Sequence, residues 1–213
     1  MSYKLDIIEY GKKIVEMGLT SGTGGNLSCY DREKGLVYIT PSGLAFDSLE
    51  EEDLVTIDLD GNVLEGKYPP SSEWIMHTEM YRHMDYINAI VHAHTVYSTV
   101  LSALRMPLEP AHYMVAVGGK RIEVADYATF GTKELALNAV DKLGENKAVL
   151  LANHGVIAGD GNMKNALNII DQVEYSAKIY CLAKMMGEPV ILDDQEMDVM
   201  LDKFSSYGKF KDK

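Results

Sequence analysis

Two histidines lie one residue apart in the segment IVHAHT, at residues 90–95. The residues before them are apolar, which predicts a buried strand, and positions i and i+2 of a strand face the same side. His92 and His94 would then project side by side, as two nitrogen ligands of one metal ion must. Two histidines on a strand are also common as ordinary surface or core residues, so this pattern alone leaves both interpretations open.

A third candidate ligand is His154, in the segment LLANHGVIA at residues 150–158. A polar triplet there interrupts two apolar runs, which predicts a strand end that opens into a site; the alternative is an ordinary turn histidine. Three histidines with one open coordination position are typical of a catalytic metal site rather than a structural one. Of the remaining histidines, His77 and His83 are predicted to be solvated on a helix surface, and His112 to lie in a loop or at a strand start.

A carboxylate near such a metal would complete its coordination or act as a general base. Glu73, in the segment PPSSEW, is the candidate. We predict a helix over residues 71–84, with Ser71 or Ser72 as its N-cap and Glu73 in its first turn. The alternative interpretation of Glu73 is a plain acidic residue that interacts favourably with the helix dipole.

Three turns of small residues could bind an anion: SGTGGN (21–26), TPSG (40–43) and PPSS (69–72). The first offers sparsely covered backbone N–H groups and the side chains of Thr23 and Asn26, and the third leads into a helix N-terminus. The first turn matches neither a dinucleotide fingerprint nor a P-loop. Each turn alone is typical of an ordinary chain reversal, but together they favour a phosphate pocket built from neutral donors.

The elements that must position these residues follow from hydrophobic periodicity and turn signals. Helices are predicted over residues 3–17, 71–84, 95–104, 133–143 and 164–186, strands over 27–29, 36–40 and 88–94, a hairpin over 54–66, and two strands or one bulged strand over 148–159. No regular βαβ alternation is present. We therefore predict one α/β domain over residues 1–213, a three-layer sandwich with a central mixed, mostly antiparallel β-sheet flanked by helices.

Composition argues against several classes of function. The formal charge of the 213 residues is −12 and no segment concentrates Lys or Arg, which argues against nucleic-acid binding and against adhesion to acidic membranes. Cys29 and Cys181 form no CxxC pair, so we expect reduced thiols that serve packing. No signal-peptide core and no run of ~18 apolar residues is present. The expectation is a soluble, cytoplasmic protein.

The motifs GTGGNLS, ITPSG, PPSSEW, VHAH, HYM, YATFGT and NHG, in this order, resemble those of the class II (zinc-dependent) aldolases of the aldolase/epimerase superfamily. The resemblance extends from about residue 5 to the C-terminal tail. It implies the fold predicted above, a Zn²⁺ cofactor and a homotetramer with active sites between subunits. It also implies reversible cleavage of a ketose 1-phosphate, in the first instance L-fuculose 1-phosphate, to dihydroxyacetone phosphate and L-lactaldehyde.

The resemblance further implies a role for individual residues. His92, His94 and His154 would hold Zn²⁺ together with Glu73, which would also be the catalytic acid/base that removes a proton from C3 of dihydroxyacetone phosphate. Its pKa is expected to be raised near a dry metal site. The substrate phosphate would be bound by Gly25, Asn26, Ser42, Gly43, Ser71 and Ser72, with Thr23 close by. Tyr113 would protonate the aldehyde from a neighbouring subunit, and Phe130 and the catalytic tail residue Tyr207 would line the aldehyde side.

Other members of the superfamily carry out different reactions. The chain also resembles the L-ribulose-5-phosphate 4-epimerases and the methylthioribulose-phosphate dehydratases. The segments HYM and YATFGT favour the aldolase. Non-catalytic binding domains of this fold tend to lose the metal histidines, all three of which are present here.

Overall fold

The computed structural model describes residues 2–206. Its helices are α1 (Tyr3–Glu16), α2 (Trp74–His83), α3 (Val96–Ala103), α4 (Lys133–Leu143), α5 (Met163–Met186) and α6 (Asp194–Ser206). Its strands are β1 (Asn26–Asp31), β2 (Leu36–Ile39), β3 (Val55–Ile57), β4 (Val63–Glu65), β5 (Ala89–Ala93), β6 (Val124–Ala125), β7 (Ala148–Leu151) and β8 (Gly155–Asp160). Every helix and strand predicted from the sequence is found, whereas α6 and the two-residue strand β6 were not predicted.

The strands form one sheet in the order β4-β3-β2-β1-β5-β8-β7-β6. Only β6 and β7 pair in parallel, and the other neighbours in the described part of the chain are antiparallel. The prediction of a mixed, mostly antiparallel sheet is therefore confirmed. Residues 148–159 form two strands, β7 and β8, and not one bulged strand.

Helices cover both faces of the sheet, which confirms the three layers. One apolar core joins α1, α3, α5 and α6 to one face, and a second core joins α2 and α4 to the other. Along β5, Val91 belongs to the first core and Ile90 to the second, as the alternation of a strand requires. In the described part of the chain, no helix combines the length and the apolar character that a membrane span needs.

The predicted start of α2 is wrong. The helix begins at Trp74 and Glu73 occupies the N-cap, where its side chain caps no backbone N–H. Ser71 and Ser72 lie before it in a turn: the Trp74 N–H donates to the Ser71 carbonyl over 3.1 Å, and the Glu73 N–H donates to Ser71 Oγ over 3.3 Å. Because Glu73 does not cap its own helix, its carboxylate is available to other partners.

Candidate active site

The sheet order brings the three histidines together. Strand β5 lies between β1 and β8, and His92 pairs with Asn26 on one side and with Ile157 on the other. His92 lies two residues after Ile90 and therefore faces the α2 side of the sheet. His94 follows the end of β5, and His154 lies in the turn between β7 and β8. All three side chains thus reach the same end of neighbouring strands.

The distances show one compact cluster. The Nε2 atom of His92 lies 3.1 Å from Nε2 of His94 and 3.3 Å from Nε2 of His154. Glu73 reaches in from the N-cap of α2, with Oε2 3.3 Å from His92 Nε2 and Oε1 3.4 Å from His154 Nε2. One ligand atom from each of the four residues lies within 4.8 Å of the others. The structure therefore places the four predicted metal ligands in one group.

The protonation of the cluster fits a metal ion. His92 Nδ1 lies 2.9 Å from the Val156 carbonyl, to which it must donate, so in the neutral ring the lone pair is on Nε2. Burial, followed by the neighbouring His92, lowers the pKa of His94 and of His154 to about 4, so both rings are neutral at pH 7. Glu73 Oε1 is buried without a hydrogen-bond donor. Three convergent imidazole nitrogens and an unsatisfied carboxylate oxygen are the kind of donor set that suits a divalent cation.

The expected rise in the pKa of Glu73 is not found. Burial does raise it, but His92, His154 and the Asn26 amide lower it by more, and the pKa of Glu73 lies below its ordinary value. The Asn26 Nδ2 donates to Glu73 Oε2 over 2.8 Å. The expectation considered burial alone and omitted the hydrogen bond and the rings that stabilise the charged form. A charged Glu73 is the form that can bind a metal.

The three turns of small residues lie together beside this cluster. The Ser42 N–H donates to the Pro69 carbonyl over 3.1 Å, and the Ser71 N–H donates to the Thr40 carbonyl over 3.0 Å. The turns surround a cleft of about 420 Å³, which Glu73, His94 and His154 also line. All the residues that the resemblance assigns to the substrate line this cleft: Thr23, Gly25, Asn26, Ser42, Gly43, Ser71, Ser72 and Phe130.

One described residue with an implied role, Tyr113, does not line the cleft of this chain. Tyr113 begins a 3-10 helix, is half exposed, and stacks against Phe204 with ring centroids 6.2 Å apart. Its implied action from a neighbouring subunit stays a prediction. Tyr207 lies outside the described residues.

Some residues of the site were missed. His77 is fully buried and not solvated as predicted: its Nε2 lies 2.5 Å from Asn26 Oδ1. Its spacing of four residues from Glu73 was the available signal, because such residues share a helix face.

Tyr127 and Asn153 also line the cleft. Asn153 has a positive φ of 54°, which an asparagine side chain tolerates in a tight turn.

Gly25 fits the close contact between the first turn and β5. Its φ is +81°, and a Cβ at this position would collide with the His92 carbonyl oxygen. We expect Gly25→Ala to lower the free energy of unfolding by about 1–3 kcal/mol or more, measured by urea denaturation. Gly22→Ala is the matched control, because Gly22 has a similar φ of +62° in the same turn but open space around it. Equal losses in the two variants would contradict the collision.

Acid is expected to destabilise the metal-free protein through histidines whose pKa is lowered in the native state, above all the buried His77. Burial lowers the pKa of His77 from 6.5 to about 3, so between these values the unfolded chain binds a proton that the native chain does not. Stability is therefore complete above pH 6.5 and falls as the pH drops through this window, by about 2 kcal/mol for His77 at about pH 5. His94 and His154 act in the same direction. Urea denaturation at about pH 7.5 and about pH 5 measures the loss, and His77→Gln should reduce it.

Residues 5–181 match the profile of the Class II Aldolase and Adducin N-terminal domain family. The chain is 45% identical over 204 residues to the 5-deoxy-D-ribulose 1-phosphate aldolase of Bacillus thuringiensis serovar kurstaki, covering 96% of each chain. It is 41% identical to the L-fuculose phosphate aldolase of Escherichia coli O157:H7, covering 95% of this chain and 94% of that one. A solved structure of an L-fuculose 1-phosphate aldolase superposes with a TM-score of 0.94 at 58% identity, covering 95% and 96% of the two chains.

These similarities extend over nearly the whole length of each protein. They agree with the three-layer fold and with the cluster of three histidines and one glutamate. This chain therefore belongs to the Class II Aldolase and Adducin N-terminal domain family, and it is a class II aldolase.

Proposed function

We propose that the chain is a zinc-dependent aldolase that reversibly cleaves L-fuculose 1-phosphate to dihydroxyacetone phosphate and L-lactaldehyde. The observation that carries this proposal is the position of the His/Glu cluster at one side of a cleft whose other side consists of turns of small residues. A metal centre and an uncharged anion site within one cleft suit a substrate with both a carbonyl and a phosphate.

His92, His94, His154 and Glu73 would hold the metal, which when bound acts as a Lewis acid on the substrate carbonyl. Glu73 then has a second task, the removal of a proton from C3 of dihydroxyacetone phosphate. Its Oε1 is suited to this task because it is buried, points into the cluster and accepts no hydrogen bond. Oε2 remains bonded to the Asn26 amide, which fixes the orientation of the carboxylate.

The phosphate would be bound by neutral groups. No Lys or Arg lines the cleft in the described part of the chain, so the donors are Ser42, Ser71, Ser72 and nearby backbone N–H groups. The same end of the cleft lies before the N-terminus of α2, whose dipole favours an anion. A chain with a net charge of −12 can in this way bind a phosphorylated sugar.

A second candidate substrate is 5-deoxy-D-ribulose 1-phosphate, because a relative that acts on it is 45% identical to this chain. Both candidate sugars end in a methyl group. Apolar side chains of the cleft, Leu44, Phe46 and Phe130, are suited to that end of the substrate. The two substrates differ in chain length and in stereochemistry near the aldehyde carbon. The fit of this part of the substrate to the cleft would determine which of the two is preferred.

A retro-aldol assay tests the proposal. The purified protein with Zn²⁺ is given L-fuculose 1-phosphate, 5-deoxy-D-ribulose 1-phosphate and L-rhamnulose 1-phosphate, and dihydroxyacetone phosphate is measured; L-ribulose 5-phosphate is incubated separately and its products are identified. We expect the highest kcat/KM for L-fuculose 1-phosphate, and a higher value for the deoxyribulose ester would select the second candidate. Conversion of L-ribulose 5-phosphate to xylulose 5-phosphate, with no ketose 1-phosphate cleaved, would replace the aldolase by an epimerase.

We further propose that the chain forms a homotetramer in which Tyr113 acts in the active site of a neighbouring subunit. Tyr113 is half exposed and lies outside its own cleft, which supports action between subunits. Tyr113→Phe and Glu73→Gln are each expected to have low activity, since each lacks one proton-transfer group. Mixed and reassembled subunits should regain part of the activity, because some sites then contain both groups. No regain in verified mixed oligomers would contradict the proposal.

A further inference from the structure

A continuous row of hydrogen bonds leads from Glu73 into the interior. Glu73 Oε2 lies 2.8 Å from Asn26 Nδ2, and Asn26 Oδ1 lies 2.5 Å from His77 Nε2. His77 Nδ1 lies 2.6 Å from Ser28 Oγ, and Ser28 Oγ lies 2.6 Å from the Tyr81 hydroxyl. Strand β1 contributes Asn26 and Ser28, while α2 contributes His77 and Tyr81. The row therefore links strand β1 to helix α2, the helix whose N-cap residue is Glu73.

The charge on Glu73 fixes the hydrogen positions of this row from Asn26 to Ser28. A charged Glu73 can only accept, so Asn26 must turn its amide nitrogen to it and its oxygen to His77. His77 must then carry its proton on Nε2. Its Nδ1 accepts from Ser28 Oγ, which leaves the Tyr81 hydroxyl to donate to Ser28, at Oγ or at the carbonyl 3.0 Å away. Each group thus determines the orientation of the next.

Burial makes this arrangement rigid. Each of the five side chains is less than 10% exposed, and His77 is completely buried. Every donor and acceptor that links two members of the row has its partner, and such a network favours one geometry, because an unpaired group in a low-dielectric interior is costly. Burial also lowers the pKa of His77 to about 3, which keeps the ring neutral, as the row requires.

We propose that His77 is a positioning residue for Glu73: it fixes the Asn26 amide, which holds Oε2 of Glu73 and leaves Oε1 free for the metal and for proton transfer. This inference rests on the proposed function, since it concerns the group that would move the proton. It also gives Asn26 a task besides its implied contact with phosphate. In the described part of the chain His77 does not line the cleft, and its hydrogen bonds go to Asn26 and Ser28 rather than to Glu73 or the histidine cluster, so its effect on the orientation of Glu73 passes through Asn26.

Three variants separate positioning from general stability. His77→Leu removes the donor to Asn26 and should lower both kcat and Zn²⁺ affinity by about 10–100-fold, with a smaller change in KM, as loss of a partner behind a metal ligand does. His77→Gln keeps an N–H donor near the position of Nε2 and should restore most of both. His83→Gln is the matched control, because His83 lies on the same helix but is exposed, and its hydrogen bond and ion pair are with Glu79. It should leave both quantities unchanged.

A double-mutant cycle tests whether His77 acts through Asn26. In an Asn26→Ala background, His77→Leu should cause little further loss of kcat or Zn²⁺ affinity, whereas independent effects would add. Additive losses would overturn the proposal, as would a His77→Leu protein that is less stable but keeps its kcat and Zn²⁺ affinity. Zn²⁺ affinity, measured by chelator competition, tests the positioning role of His77 even if the protein cleaves no ketose phosphate.

One measurement needs no variant and covers the case in which His77→Leu does not fold. The ¹⁵N chemical shifts of the His77 ring in the wild-type protein report which nitrogen carries the proton. We expect the neutral tautomer protonated on Nε2 between about pH 5 and about pH 8. A proton on Nδ1, or a charged ring, would reverse or break the row and overturn the proposal.

Discussion

Glu73→Gln is expected to lower the rate of proton exchange at C3 of dihydroxyacetone phosphate by about 10²–10⁴-fold, the usual contribution of a general base. Glutamine has nearly the same shape as glutamate, and its oxygen can still accept from Asn26. The substitution removes the charge and with it the capacity of Oε1 to take a proton. Since Glu73 caps no backbone N–H of α2, the helix loses no such hydrogen bond.

Deuterium uptake from D₂O into dihydroxyacetone phosphate, followed by NMR, measures this step without any aldehyde. The assay needs saturating Zn²⁺, because Glu73 is also a proposed ligand and the substitution weakens metal binding. Glu79→Gln is the matched control: it makes the same change on the same helix, where Glu79 contacts Arg82 and His83 and not the cluster. Unchanged exchange in metal-loaded Glu73→Gln would remove Glu73 from the role of base.

The sequence predicts the parts of this site that depend on local periodicity. The alternation of a buried strand was enough to place His92 on one face, and the interruption of an apolar run was enough to place His154 at a strand end. That these two residues meet depends on the pairing of β5 with β8, which joins segments more than sixty residues apart. No local pattern encodes that sheet order. The sequence could therefore suggest that these residues share one metal site, but it could not predict the distances between them.

The residues that sequence reasoning misplaced are those whose surroundings come from another element. His77 has the helix pattern of a solvated residue, and it is buried because α2 packs against β1, where Asn26 and Ser28 become its partners. Strand β6 is two residues long and forms only by pairing with β7. The pKa of Glu73 also depends on neighbours that the linear sequence does not show. Composition could not have selected Tyr113 among 13 tyrosines.

Removal of the metal is expected to abolish cleavage of the ketose 1-phosphate while the protein stays folded. The four ligands lie at strand ends and before a helix, whereas the two apolar cores hold the layers together without them. Loss of a Lewis acid removes several kcal/mol of transition-state stabilisation, so activity should fall by about 10³-fold or more. Treatment with a chelator, followed by circular dichroism and metal analysis, separates lost activity from lost fold. Activity that survives with no bound metal would contradict the proposed chemistry.

The same ligands should make stability depend on Zn²⁺ concentration. A ligand that binds only the native state adds about 4 kcal/mol to the free energy of unfolding at about 1,000 times its Kd. His94→Ala should lose most of this gain at little cost to the metal-free fold, because His94 lies in the cleft and outside both cores. His83→Ala, which removes an exposed histidine of α2, should keep the gain. Equal stabilisation of both variants would show that Zn²⁺ binds elsewhere, whereas loss in His94→Ala alone would assign the ion to the cluster that opens into the cleft.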